Sequence, residues 1–182
     1  MMTGESWKFC EQILPGVSRS FALIIPRCPP PIDSALCVAY LNCRLADTIE
    51  DEAALTQAQR AILYDALLRA VDDPTTPSCA EAFVRAWPKI PEGDYGRLIQ
   101  GTHAVLTAFA TLPTDLRPPI RTCVHDMIAG MRQMAPVQVI GGILFLCGDL
   151  NDLDRYCHYV AGVVGIMSTA LFEMRLDGQV FT

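Results

Sequence analysis

Charge is scarce in this 182-residue chain, in which 19% of the residues are charged against roughly 25% in typical soluble proteins. The net charge is -6, and lysine and arginine form no basic block. We therefore expect no nucleic acid partner, since such binding needs concentrated positive charge. The 51% of hydrophobic residues instead predicts a large interior, or apolar surface that contacts a ligand, a membrane or further protein.

Several motifs of catalysis and cofactor binding are also missing. The sequence contains no G-x-S-x-G, no G-x-G-x-x-G, no P-loop and no H-x-x-x-H, so none of the nucleotide, hydrolase or histidine-metal sites that these motifs build is indicated. The three histidines, His103, His125 and His158, are isolated along the sequence. We expect each of them to be structural.

The eight cysteines form no C-x-x-C pair, and most lie within apolar runs. This usage predicts small buried side chains in a reducing compartment. Residues 1–9 have no charged segment followed by an apolar core and a cleavage site, so no signal peptide is predicted. The apolar run 135–148 is shorter than the roughly 20 residues that a transmembrane helix needs. A cytoplasmic protein is therefore expected, with peripheral membrane association left open.

Residues 34–52, SALCVAYLNCRLADTIEDE, join an apolar helix to an acidic end. Apolar residues on nearly every face predict a helix that is packed on all sides. At helical spacing, one stripe on this helix carries a ring, a guanidinium and several carboxylates. Its members are Tyr40, Arg44, Asp47, Glu50 and Asp51. This pattern is expected where a buried helix borders a polar cavity.

The acidic end has two interpretations. A helix that simply leaves the core and ends in a solvated turn would carry the same residues. However, carboxylates in a last turn face the negative end of the helix dipole, at about 0.3–1 kcal/mol each unless a cation compensates. Asp47 and Asp51, one turn apart, also suit Mg2+, which is typically held by one or two carboxylates together with substrate phosphates. The pattern alone leaves both interpretations open.

A second polar cluster, Ser18, Arg19 and Ser20, precedes an apolar run at the predicted start of a helix. Backbone N–H groups, two hydroxyls and an arginine suit an anion. The plainer interpretation is a serine cap beside a surface arginine. Both interpretations fit the residues.

Helical patterns over most of the chain predict an all-α fold of about seven or eight helices, in a single domain over residues 1–182. Asp33 or Ser34 is expected to cap the central helix, and a clear amphipathic helix begins after Thr56. Single helices are predicted over 95–112 and after Asn151 or Asp152. The run 135–148 departs from this order, because its β-branched residues and glycines favour a strand or a loose flap. We expect it to be a buried core segment rather than a lid.

Three strings, in this order, resemble the squalene and phytoene synthase family of head-to-head prenyltransferases. They are VSRSF at 17–21, the stripe with DTIED at 40–51, and YCHYVAG at 156–162. DTIED is closer to the squalene synthase form of the first acidic motif than to the DELVD of phytoene synthases. The resemblance covers about 9 to 172 and implies the isoprenoid synthase fold, here its N-terminal portion.

The resemblance implies a Mg2+-dependent prenyltransferase of isoprenoid biosynthesis, on the route to sterols or hopanoids. It would join two molecules of farnesyl diphosphate through presqualene diphosphate into squalene, with NADPH as the reductant. The implied metal ligands are Asp47, Glu50 and Asp51, and the implied catalytic residues are Tyr159, Tyr40 and Arg44. The implied substrate-binding residues are Ser18, Arg19, Ser20, Phe21 and Arg44.

One departure limits the resemblance. Family members carry a second acidic motif, and residues 169–182 contain nothing that could replace it. We expect either a piece of a longer enzyme or a shortened relative, inactive alone and a monomer or of unknown oligomeric state. The alternatives are a dehydrosqualene or phytoene synthase, and a non-catalytic relative that binds prenyl lipid or pairs with another chain.

Overall fold

The computed structural model describes residues 4–18, 20–133, 138–140, 143–145 and 149–174. Within these residues the chain is almost entirely helical, which confirms the all-α prediction. The α-helices are α1 (Glu5–Val17), α2 (Phe21–Ile24), α3 (Ile32–Asp51), α4 (Gln57–Asp72), α5 (Pro77–Ala86), α6 (Gly93–Gln100), α7 (Thr102–Thr111), α8 (Arg117–Gln133), α9 (Leu150–Cys157) and α10 (Val163–Glu173). A 3-10 turn (Ile25–Arg27) follows α2, and a π-helical turn (His158–Gly162) joins α9 to α10.

Two short strands, β1 (Gln138–Ile140) and β2 (Ile143–Phe145), pair antiparallel, with Gln138 opposite Phe145. They lie in the apolar run 135–148, for which a strand was one of the two predicted forms. The β-branched residues of these segments suit extended backbone. The rest of the run, and the prediction that it is buried, lie outside the described residues.

Helix α3 is the centre of the molecule. It packs against α1, α4, α7, α8 and α10, and the side chains of Leu41, Leu45 and Ile49 are fully buried. Burial of each such side chain contributes about 1.5–3 kcal/mol relative to exposure. The prediction of a helix packed on all sides is therefore confirmed, and its polar stripe lies where that packing leaves the helix partly exposed.

Helix α4 begins as predicted after Thr56. The Thr56 hydroxyl accepts a hydrogen bond from the Gln59 backbone N–H (3.3 Å), and the Gln59 side chain accepts one from the Thr56 backbone N–H (2.8 Å). This capping box pairs two N–H groups that a helix start otherwise leaves unpaired. It fixes the first turn of α4 directly after the acidic end of α3.

Two predicted helix starts are wrong. Helix α3 begins at Ile32 after Pro31, so neither Asp33 nor Ser34 is its N-cap. The N-cap of α9 is Asp149, whose side chain accepts a hydrogen bond from the Asp152 backbone N–H at 2.9 Å. In both cases a nearby polar residue that could have capped the helix lies within its first turn.

The helix predicted over 95–112 is broken at Gly101 into α6 and α7. A Cβ atom built on Gly101 would lie 1.9 Å from Cζ of Phe9, so the ring of α1 occupies the space that a side chain would need. The single helix predicted after residue 151 is likewise interrupted by the π-helical turn. Both interruptions occur where another element packs closely, which periodicity alone does not reveal.

Helix α8 carries Met127, Gly130 and Met131 at helical spacing, and the two methionines are buried in the core. Gly130 lies directly under Tyr159 of the π-helical turn, because a Cβ built on Gly130 would be 2.1 Å from Cγ of that ring. The glycine therefore permits the close approach of the two elements. Each helix within the described residues is too short or too polar to span a bilayer.

Most of the described cysteines are buried or half-buried, as the sequence predicted. Cys43 and Cys123 meet between α3 and α8, with their Sγ atoms 3.9 Å apart. The contact with Cys123, together with burial, raises the pKa of Cys43. Cys157 is an exception, because it is exposed on α9. Cys147 lies outside the described residues.

Candidate functional site

Tyr40, Arg44 and Asp47 form a connected chain of contacts along α3. The Arg44 Nη2 group donates a hydrogen bond to the Tyr40 hydroxyl at 3.1 Å, and Arg44 Nη1 lies 3.4 Å from Oδ2 of Asp47. The guanidinium also lies 5.6 Å from the centre of the Tyr40 ring, within the range of a cation–π contact. The predicted stripe is thus a physical network over these three residues.

Tyr40 also ties α3 to the end of α1. Its hydroxyl donates a hydrogen bond to the Val17 carbonyl at 3.0 Å, and its ring lies 5.4 Å from the ring of Phe21. The string 17–21 and the stripe are therefore neighbours in space. The Val17 carbonyl was not predicted as part of the site, because a backbone acceptor leaves no signal in residue type.

The polar cluster at 18–20 is only partly built as predicted. Ser18 is buried and its hydroxyl oxygen accepts a hydrogen bond from the Ala22 backbone N–H at 3.2 Å, which is the plainer capping role. Ser20 is exposed. Arg19 lies outside the described residues, so its predicted role in binding diphosphate stays a prediction. Helix α2 spans only Phe21–Ile24 and is too short to act as an anion site through its dipole.

Burial and mutual repulsion disfavour the charged forms of the carboxyl groups at the acidic end. Burial raises the pKa of Asp47 to about 6, although Arg44 opposes the shift and Asp51 adds to it. Burial, with Asp47 and Asp51, raises the pKa of Glu50 to about 7, and Arg60 opposes this shift. Both carboxyl groups favour the neutral form more than usual, so a bound cation would stabilise their charged form.

Arg44 stays charged in this setting. Burial acts to lower its pKa, but the hydrogen bond with Tyr40 and the charge of Asp47 outweigh burial and raise it. Arg44 Nε is buried and, within the described residues, has no hydrogen-bond acceptor. The guanidinium is therefore held in place with part of its donor capacity unused.

The three predicted metal ligands lie on one stripe, but they do not converge on a preformed metal site. Asp47 and Glu50 are half-buried and Asp51 is exposed. Among the residues that the structure describes, no three His, Cys, Asp or Glu side chains are grouped so as to hold a metal ion. A divalent cation at this place would need further oxygen ligands, as Mg2+ sites with substrate phosphates have.

Arg60 of α4 is a site residue that sequence reasoning missed. Its guanidinium donates to the Ile49 carbonyl (Nε, 3.3 Å) and to the Glu52 carbonyl (Nη2, 3.0 Å) at the end of α3. The sequence indicated that the acidic end of α3 is unfavourable without a compensating cation. It did not identify Arg60 as that cation, because the position of Arg60 depends on how α4 packs against α3.

Tyr159, predicted as a catalytic residue, is half-buried with its ring against Gly130 of α8 and 5.3 Å from the ring of His158. This packing places it at the boundary with α8 and does not by itself bring its phenol to the stripe on α3.

An open depression of about 640 Å³ lies nearby, and it is built from α9 and the π-helical turn, not from the stripe. Its lining residues are Asn151, Asp154, Arg155, Cys157, His158 and Gly162.

The structure defines an all-α protein in which one central helix carries an arginine and carboxylates on a stripe beside an aromatic ring. The family model described as Squalene/phytoene synthase matches residues 14–179. The chain belongs to the squalene/phytoene synthase family.

Curated relatives agree with this assignment. The chain is 33% identical over 172 residues to a squalene synthase of Nicotiana benthamiana and 32% identical over 171 residues to squalene synthase 1 of Panax ginseng. Each match covers 92% of this chain and 36% of the relative. The chain thus spans about a third of the length of the curated relatives that it matches.

Solved structures share the fold. A structure of TcSQS in complex with the ligand BPH1237 superposes with a TM-score of 0.75 at 28% identity, and a complex of TcSQS with E5700 with a TM-score of 0.74 at 28% identity. The first match covers 93% of this chain and 45% of that chain. The fold is therefore that of a part of the all-α isoprenoid synthase fold.

Proposed function

We propose that the protein containing this chain is a squalene synthase-like farnesyltransferase that depends on Mg2+. It would condense two molecules of farnesyl diphosphate through presqualene diphosphate and use NADPH to reach squalene. The observation that carries the proposal is the network of Tyr40, Arg44 and Asp47 within the DTIED helix of a member of this family.

The charges of α3 suit the first step, which is departure of an allylic diphosphate. Arg44 is held by Tyr40 and Asp47 and has an unpaired Nε group, so it can bind diphosphate oxygens with charge-assisted hydrogen bonds. Ser18 and Ser20, with Arg19, are proposed to bind the same group. The Ser18 oxygen accepts from Ala22, which leaves its proton available for donation.

The donor set at the acidic end fits Mg2+. Asp47, Glu50 and Asp51 offer only carboxylate oxygens, the ligands that this hard cation prefers. Burial, with repulsion among these carboxylates, raises the pKa values of Asp47 and Glu50, so a bound cation would stabilise their charged forms. When bound, Mg2+ would supply charge for the leaving pyrophosphate. The described residues would hold one side of such a cation, and substrate oxygens would complete its shell.

The remaining roles follow from placement around this network. Phe21 is half exposed and its ring lies beside Tyr40, so we propose that it forms part of the wall of a prenyl pocket. Tyr40 orients Arg44 through its hydroxyl. Tyr159 is proposed to mediate proton transfer later in the reaction, and Gly130 sets the position of its ring.

The test is product analysis with the complete gene product and labelled C15 and C20 diphosphates, with and without NADPH. We expect squalene from the C15 substrate when Mg2+ and NADPH are present. A C40 product from the C20 substrate would contradict the proposal in favour of a phytoene synthase. A C30 product that is the same with and without NADPH would favour a dehydrosqualene synthase.

Asp47→Asn is the matched inactive control for this assay, because it keeps the shape of the side chain and removes its charge. If the wild-type protein bound the non-hydrolysable analogue farnesyl thiodiphosphate but formed no product from farnesyl diphosphate, the non-catalytic prenyl-binding alternative would be favoured.

A further inference from the structure

The carboxyl end of α3 brings unpaired carbonyl groups next to acidic side chains. The helix ends at Asp51, so the carbonyls of its last turn lack intrahelical partners. These carbonyls form the negative end of the helix dipole, which adds to the repulsion among the carboxylates of this turn. Such an end is unfavourable unless a cation and hydrogen-bond donors reach it from another element.

Arg60 of α4 supplies both the cation and the hydrogen-bond donors. One guanidinium donates to the carbonyls of Ile49 and Glu52, at 3.3 and 3.0 Å. These two carbonyls flank Glu50 and Asp51 in the sequence, so the bridge closes around the turn that carries them. Arginine suits this position because its planar fork can reach two acceptors at once, which a lysine ammonium on a flexible stem does less well.

The Arg60 side chain extends from a hydrogen-bonded turn at the start of α4. Arg60 is half-buried, and its backbone N–H donates to the Thr56 carbonyl at 2.9 Å. The capping box of Thr56 and Gln59 fixes the same turn. On the other side, the Glu52 carbonyl also accepts from the Leu55 backbone N–H at 3.2 Å. The bridge therefore joins two short, hydrogen-bonded segments.

We propose that Arg60 is a positioning residue for the acidic site. It holds the turn 49–52 by its two carbonyl contacts and places a positive charge at the helix end, so that the carboxylates of Glu50 and Asp51 are kept in register with Asp47. The inference rests on the proposed function, because it takes these carboxylates to be the ligands of a divalent cation. Arg60 donates its hydrogen bonds to backbone carbonyls, so we do not propose that it binds the substrate.

The first test needs no metal. Amide hydrogen exchange of residues 50–55 is compared in the wild type, Arg60→Gln, Arg60→Lys and Arg69→Gln, where Arg69 is an exposed arginine of the same helix. Loss of the charged donor should speed exchange by about tenfold or more in Arg60→Gln, since hydrogen bonds that involve a charged group are stronger than neutral ones. Arg60→Lys should lie between Arg60→Gln and the wild type. Equal exchange in Arg60→Gln and Arg69→Gln would overturn the role of Arg60.

The second test connects the turn to the site. Binding of Mn2+ with inorganic pyrophosphate is followed by electron paramagnetic resonance of free Mn2+ for the same four proteins, each compared with a protein-free sample of the same Mn2+ and pyrophosphate, with unfolding in urea as the check on folding. We expect Arg60→Gln to bind Mn2+ about fivefold to tenfold more weakly, Arg60→Lys to recover part of the loss, and Arg69→Gln to match the wild type.

The two measurements separate the inference from the proposed function. Faster exchange in Arg60→Gln with unchanged Mn2+ binding would overturn the positioning role and leave Arg60 as a structural residue only. A wild-type protein that binds no Mn2+ at millimolar concentration would overturn the metal assignment. In that event, faster exchange in Arg60→Gln would still support its hold on the turn 49–52.

Discussion

At the scale of single residues, Asp47 and Tyr159 are expected to act at different steps. Asp47→Asn should weaken binding of Mg2+ and farnesyl thiodiphosphate by about tenfold to a hundredfold, because it removes a charged partner worth about 1.5–3 kcal/mol. Tyr159→Phe carries no charge to the cation, so it should bind normally and yet form no product. Isothermal titration calorimetry and product assays on the complete gene product measure the two effects.

The Tyr159→Phe variant is the control for Asp47→Asn, since both keep the shape of the side chain. Equal binding by the wild type and Asp47→Asn would remove the stripe from the metal site. Normal product from Tyr159→Phe would remove its phenol from the reaction and leave it as a packing residue on Gly130.

The Asp47 carboxylate also makes the free energy of unfolding depend on pH. The pKa of Asp47 is about 6 in the folded chain against 3.8 ordinarily, so the folded state binds its proton more tightly than the unfolded state does. Its contribution to stability is therefore lost as the pH rises from about 4 to about 6. Without metal, Asp47→Asn should exceed the wild type in unfolding free energy at pH 7.5, by a margin that shrinks as the pH falls to 4.

Urea unfolding between pH 4 and 7.5 measures this margin, and Asp126→Asn, an exposed acid on α8, is the control. A margin that stays constant over this range would contradict the raised pKa. The prediction also implies that the wild-type residue lowers stability in the absence of a cation, as is common at functional sites.

At the scale of elements, the contact between α8 and the π-helical turn depends on Gly130. Gly130→Ala would place a Cβ 2.1 Å from Cγ and 2.3 Å from Cβ of Tyr159, so the two elements must move apart. We expect a loss of about 1–3 kcal/mol, the usual range for overpacking. Chemical denaturation measures the loss.

Gly165→Ala on α10 is the matched control, because, apart from the backbone of α10 itself, none of the described residues has an atom within 4 Å of a Cβ built there. This substitution should be neutral or stabilise by up to about 1 kcal/mol, the helix-propensity gain of alanine over glycine. If both substitutions changed stability equally, the close approach at Gly130 would not be the cause.

At the scale of the whole molecule, several large apolar side chains are exposed. Leu23, Leu153 and Ile166 are 64%, 41% and 63% exposed, and Leu150 is 82% exposed. Exposed apolar surface favours association even in a chain with a net charge of -6. We expect sedimentation velocity of the 182-residue chain to show concentration-dependent self-association that Leu153→Lys and Ile166→Lys reduce.

Ile62→Lys is the control for this prediction, since Ile62 is 56% exposed on α4, away from α9 and α10 in the sequence. An equal reduction by Ile62→Lys would indicate nonspecific association. A monodisperse wild-type chain at high concentration would contradict the prediction.

Local patterns in the sequence were sufficient for much of this protein. Spacing of four and three residues along one helix determined that Tyr40, Arg44 and Asp47 share a stripe, because side chains one turn apart are neighbours wherever the helix lies. The Thr56 cap and the fully packed character of α3 are local in the same sense. The family was also visible in short strings of residues.

Only the tertiary structure decided the contacts between segments far apart in the chain. The Val17 carbonyl beneath Tyr40, the Phe9 ring at Gly101 and the Tyr159 ring on Gly130 each depend on how two elements pack. The same holds for the carbonyls that Arg60 bridges at the end of α3. Residue type and periodicity record what a helix needs at each position, whereas the identity of the partner is set by packing over the whole fold.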